Sequence, residues 1–129
     1  RFLQNIVILT ELIRMVGKHP DQHTAERLGR LIAQLHSLRQ MSISVAGMLS
    51  SGQEPVLEAS IVKDVGTKCE QALHNTAREI AGLLQNTETN RNSFDDLVQQ
   101  SVIMSPKYTI QGGTREVLRG IIARGLGVR

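Results

Sequence analysis

The sequence predicts an all-α fold, an antiparallel four-helix-type bundle, and three observations carry that reading. Apolar residues recur at three- and four-residue steps over long segments, the spacing that gathers them on one face of an α-helix. No segment alternates at period two for long enough to form a strand. Short breaks at Gly17-Lys-His-Pro20 and Ser51-Gly-Gln-Glu-Pro55 divide the periodic runs, which suits antiparallel neighbours.

The first helix is expected over Phe2 to Val16. Leu3, Ile6, Val7, Leu9, Ile13 and Val16 cover more than one face, with Ile8 and Leu12 filling much of the rest, so burial on several sides is implied. Asp21 then offers an N-cap for a long helix to about Leu49, with Leu28, Leu31, Ile32, Leu35, Leu38, Val45, Met48 and Leu49 in register. Pro55 suits the first turn of a third helix running to Leu84. Its stripe is Leu57, Ile61, Val65, Cys69, Leu73, Ile80 and Leu84, and Gly66 is a candidate for close helix contact. Gln85 to Asn92 reads as a polar loop. Ser93 is expected to cap a short helix with Asp95 and Asp96 in its first turn, Leu97, Val98, Val102 and Ile103 inward, and Ser105-Pro106 at its end.

The last stretch, Tyr108 to Gly127, carries the spacing that looks most like chemistry. Gly112 and Gly113 have no Cβ, so another backbone or a ligand can approach them; the same pair also serves simply to turn a corner. Thr114 is a good N-cap, Glu116 places negative charge at the positive end of the dipole, and Val117, Leu118, Ile121 and Ile122 form a stripe. Gly125 is expected to end the helix in a left-handed C-cap. The unsatisfied N–H groups of such a helix start can hold a phosphate, a flavin edge or a carbonyl oxygen.

Composition bounds the rest. One domain is expected from 129 residues, and with 2% aromatic residues its core must be filled by Leu, Ile, Val, Ala and Met. No apolar run is long enough to span a membrane. The formal charge of +3 comes from scattered Lys and Arg without interleaved aromatics, with Arg115, Arg119, Arg124 and Arg129 near the end; this is a solvated or subunit-facing surface, not a nucleic-acid footprint. His19 and His23 are four apart but separated by Pro20 and lack a third ligand, so no metal site is expected. His36 and His74 read as packing or solvent contacts, Cys69 as a core thiol, and Lys63-Asp64 and Lys68-Glu70 as exposed helix charges.

The string Tyr108-Thr-Ile-Gln-Gly-Gly-Thr-Arg-Glu-Val-Leu-Arg-Gly-Ile-Ile-Ala-Arg124 resembles the C-terminal signature of acyl-CoA dehydrogenases, in which a Gly-Thr-Ser-Glu-type segment precedes the last helix. Glu58-Ala-Ser-Ile-Val-Lys-Asp-Val-Gly-Thr67 is similar to that family's Ala-Ser-x-x-Lys stretch on a bundle helix. The resemblance implies a single helical bundle domain over residues 1–129, part of a longer FAD-dependent protein and lacking its N-terminal helical and middle β domains. It implies acyl-CoA as substrate, an electron-transfer flavoprotein as acceptor, and a homo- or hetero-oligomer formed through the bundle. It further implies α,β-dehydrogenation of an acyl thioester in the bacterial cytoplasm, or in the mitochondrion of a eukaryote, with the isolated domain inactive.

Residue by residue, Gly113 matches the glycine whose backbone meets substrate, and Thr114, Arg115 and Glu116 match three positions that touch FAD. Gly112 stands where the commonest branch has its catalytic Glu and cannot accept a proton. Other branches carry that base on an earlier helix, which here would lie upstream of Arg1. The family's Arg-x-x-x-Phe-Gly turn is only faintly echoed by Arg14-Met-Val-Gly17, and its Gln-x-x-Gly-Gly clasp is not seen near Glu79-Ile-Ala-Gly82. The competing expectation is a non-catalytic helical subunit or oligomerisation module related to the family.

Overall fold

The computed structural model describes residues 2–84 and 88–128, the side chains of 2–5, 88–92 and 108 lying outside that description. Five helices follow in order: α1 (Phe2–Val16), α2 (Gln22–Ser50), α3 (Val56–Leu83), α4 (Glu88–Ile110) and α5 (Arg115–Gly125), with no strand among the described residues. The all-α bundle is organised round α3, which packs on α1, α2, α4 and α5.

Local chemistry sets most boundaries. Asp21 caps α2, accepting the Thr24 N–H at 3.0 Å and the Thr24 hydroxyl at 2.6 Å, and these bonds hold its carboxyl below the usual range. Pro55 occupies the cap position of α3 instead of its first turn. At the far end, Gly125 is the last helical residue of α5 and not its left-handed cap. Leu126 is its cap residue, Gly127 takes φ +74°, and Val128 N–H bonds to the Ala123 carbonyl at 2.8 Å while Gly127 N–H bonds to that of Arg124 at 3.0 Å. That pair of bonds is a complete Schellman motif. Gly125 matters for packing instead. A Cβ there would stand 2.9 Å from Leu57 Cδ1, so its bareness lets α5 lie against the start of α3. A Cβ on Gly66, by contrast, would meet Leu38 Cδ2 at an ordinary 3.5 Å.

The fourth helix departs most from expectation. Residues 88–92 are helical, so Ser93 lies inside α4 and Asp95 and Asp96 fall beyond its first turn; the expected loop residues 85–87 are outside the described ones. Polar composition concealed this helix, which is held by packing of Phe94 and Val98, both buried. Nor does Pro106 end it. A proline removes its own N–H from the ladder, but the next turn survives: Thr109 Oγ1 donates to the Pro106 carbonyl at 2.7 Å and Gln111 N–H to that of Lys107 at 3.0 Å.

The core draws on four helices: Ile8 and Leu12 from α1, Leu28 and Leu31 from α2, Leu73, Ala77, Ile80 and Ala81 from α3, and Phe94 and Val98 from α4. Burying a side chain such as Leu73 contributes about 2 kcal/mol. Farther along α2, Leu35 and Leu38 continue the buried stripe, whereas Ile32 and Leu49 are exposed. On α1 the inward face is Ile8 and Leu12; Ile6, Val7 and Ile13 remain 43–49% exposed, and Leu3 falls among the undescribed side chains. Ile103 on α4, expected inward, is 68% exposed. Cys69 is a buried thiol, pushed up by burial and then by the neighbouring Glu70 charge.

Candidate functional site

Between α4 and α5 the chain reverses through Gly112 at φ +80° and Gly113 at φ +99°, a region that residues with a Cβ rarely adopt. Crowding is not what demands glycine here. A Cβ on Gly112 would meet Lys63 Cε at 3.8 Å, and one on Gly113 would meet Leu118 Cδ2 at 3.7 Å, both ordinary contacts. Gly112 is exposed while Gly113 and Thr114 are half-buried, so the turn keeps an open side.

Thr114 then caps α5, its hydroxyl oxygen accepting the Val117 N–H at 3.4 Å. The N–H groups of the first turn have no partner within the helix ladder, as at any helix start. Glu116 engages part of that supply: hydrogen bonds from its own backbone N–H and from the Thr114 hydroxyl hold its carboxyl below the ordinary range. Leu118, buried, pins the turn from beneath, while Val117 points outward at 57% exposure and Ile121 and Ile122 are half-buried.

Arg115 is the residue whose surroundings sequence reasoning missed. Its Nε–H donates to Asp64 Oδ1 on α3 at 2.8 Å. Asp64, expected as an exposed helix charge, is buried, its side chain only 12% accessible. Arg119 Nε and Lys68 Nζ each stand 3.8 Å from the same carboxylate. Burial pushes the Asp64 carboxyl up, but the hydrogen bond and charge of Arg115, with Arg119 and Lys68 behind them, prevail and hold it below the ordinary range. Three cations thus surround one carboxylate. On α3 Asp64 shares a buried face with Ser60, four residues before it, and Thr67, three after it, a polar face that hydrophobic periodicity does not reveal.

Two more polar residues of α3 are inside the bundle. Glu70, expected exposed with Lys68, is buried, and His74 is 4% exposed with no hydrogen-bond partner for Nδ1. Burial lowers the His74 pKa from the ordinary 6.5. His19 and His23 are exposed, one before and one inside α2, and His36 is exposed beside Gln40. Among the described residues no three His, Cys, Asp or Glu side chains converge as metal ligands would.

These features define a helical domain in which a positive-φ glycine pair feeds a threonine-capped final helix anchored to the central one. The chain belongs to the acyl-CoA dehydrogenase family, matching its C-terminal domain over residues 15–127. It is 29% identical over 122 residues to acyl-CoA dehydrogenase FadE34 of Mycobacterium tuberculosis, a match that covers 92% of this chain and 16% of that protein. The chain therefore corresponds to a minor part of the relative's length. No solved structure matches it significantly. No described helix is long and apolar enough to cross a membrane.

Proposed function

We propose that this chain is the C-terminal helical domain of an FAD-dependent acyl-CoA dehydrogenase-like protein, and that its Gly112–Glu116 turn forms one wall of the flavin and thioester site. The observation that carries the proposal is the open, positive-φ glycine pair at the head of α5, set in the segment that resembles the family signature. The backbone fits a flat, polar ligand: Gly112 leaves space in front of it, and the start of α5 offers N–H groups beside a basic cluster. The side chains fit less fully, because the Arg115 guanidinium is engaged with Asp64.

Bound FAD supplies a hydride acceptor for the β-carbon of an acyl thioester. The part left to this chain is positioning. Gly113 presents bare backbone to the thioester, and Thr114 and the first turn of α5 present hydrogen-bonding groups to the cofactor. Gly112 has no group that can take the α-proton, so the base belongs to another part of the parent protein. The isolated domain, without that base and without the remaining cofactor contacts, turns over no substrate. The exposed apolar residues Ile6, Val7 and Ile13 on α1 and Ile103, Met104 and Ile110 on α4 suit burial against other domains or subunits of an oligomer. Acyl-CoA and an electron-transfer flavoprotein are the partners of the whole.

The test is to purify the full-length parent and look for flavin absorbance that bleaches on addition of acyl-CoA. Bound flavin with substrate-dependent bleaching supports the reading. A colourless protein that takes up no FAD supports a second reading, a helical subunit or assembly module without the chemistry, which Gly112 at the base position favours.

A further inference from the structure

We propose that Asp64 is a positioning residue for the Gly112–Glu116 turn, acting through Arg115 to fix the first turn of α5 on α3. The proposal rests on the reading that this turn faces a flavin. Three observations carry it. Asp64 is buried at a place on α3 where a lone carboxylate would be costly, so it is there for a partner. That partner is the first residue of α5, bonded through Nε at 2.8 Å, and Thr114, the cap residue, is its immediate neighbour. Both residues before the cap are glycines at positive φ, and glycine reaches negative φ as readily, so an outside anchor helps hold the turn in this one geometry.

Two anchors from outside the turn stand out among the described residues. Leu118 packs beneath Gly113 through apolar contact, and the Asp64–Arg115 pair supplies the directional hold. Engagement with Asp64 ties the Arg115 guanidinium to α3. Residue 115 thereby orients backbone groups for a ligand, while its own charge stays with Asp64. Arg119 and Lys68, each 3.8 Å from the carboxylate, add their charge to that of Arg115.

The experiment uses the full-length parent, with Asp64→Asn, Arg115→Ser and the double variant. Amide hydrogen exchange is read at Val117 and Leu118 in α5 and at Leu73 in the core, together with the Kd for FAD. Asp64→Asn should speed exchange in α5 about tenfold with Leu73 unchanged, and weaken FAD binding by a similar factor. Because the two residues act through one bond, the double variant should lose no more than the worse single one. If Asp64→Asn does not fold, Arg115→Lys, which keeps the charge and loses the guanidinium geometry, should give the same pattern more weakly. Unchanged exchange at Val117 and Leu118, or additive losses in the double variant, overturns the inference. A wild-type protein that binds no FAD overturns the functional reading instead, and exchange in α5 then decides the role of Asp64 by itself. Wild-type-tight FAD binding by a variant whose α5 exchange is faster shows that the pair orders the turn without serving the cofactor, and the inference fails.

Discussion

Leu57, in the first turn of α3, stands so close to Gly125, in the last turn of α5, that a Cβ on the glycine would be 2.9 Å from Leu57 Cδ1 and 3.3 Å from Leu57 Cβ. The leucine tip can rotate away, but its Cβ cannot without moving α3. The end of α5 is thus seated on the beginning of α3 by the absence of a single carbon.

That seating separates two glycines of one helix. Gly120 meets open space, and an alanine there should stabilise the domain by about 0.5–1 kcal/mol through helix propensity. Gly125→Ala gains the same propensity but must displace Leu57, and should end about 1 kcal/mol less stable than wild type. Thermal melts of the two variants check this, and equal shifts would show that Leu57 yields freely.

Gly127 should also resist substitution, for a conformational reason. At φ +74° it donates one of the two bonds that finish α5 and turns the chain so that Val128 donates the other, so Gly127→Ala should cost about 1 kcal/mol and loosen the last turn. Exchange of the Val128 amide, which bonds to Ala123, is the measurement; unaltered protection there would refute the capping role.

Truncating the central helix should be far more damaging. Leu73 is fully buried in the middle of α3, and Leu73→Ala should cost about 2–5 kcal/mol, measured by urea unfolding. A loss below about 1 kcal/mol would mean that the core collapses round the gap.

His74 predicts a particular response to acid. Its folded-state pKa is depressed by burial, so below the ordinary 6.5 the unfolded chain takes up a proton that the folded chain refuses. Stability should therefore fall as pH drops from about 6.5 toward the lowered folded value, and His74→Gln should flatten that slope. Melting temperatures of the two proteins across this window, declining in parallel, would show that His74 is not responsible.

Asp64 acts lower on the pH scale. Its folded-state pKa is depressed below the ordinary 3.8, so its stabilising effect is complete above that value and is lost as pH falls through the lowered one. Asp64→Asn should be less stable near neutrality and lose less on further acidification. Acid titrations followed by circular dichroism compare the two, and superimposable acid limbs would contradict the assignment.

What could be read in the chain beforehand depended on how local the cause was. The caps Asp21 and Thr114 act within three residues, and both stand where expected with the hydrogen bonds expected of them. Gly125 and Gly127 both fit a helix stop; the positive φ marks Gly127 as the capping glycine, and Leu57, on a different helix, makes Gly125 the packing one. Asp64 looked like a surface charge because its partner is 51 residues distant. The same holds for α4, where polar residues at its start and Pro106 near its end hid a helix whose reason to exist is the buried side of Phe94 and Val98. In the site itself, the glycine pair and its threonine were evident from sequence, while the anchor beneath them needed three dimensions.

Because α3 touches every other helix, it bears the hydrophobic interior on one segment and the seat of the glycine turn on another. A small rotation of this rod to accommodate a bulkier side chain at Ala77 would travel along its length and arrive at Asp64 as a changed angle. Interior repacking and the geometry of the turn are thus geared together through a single axle.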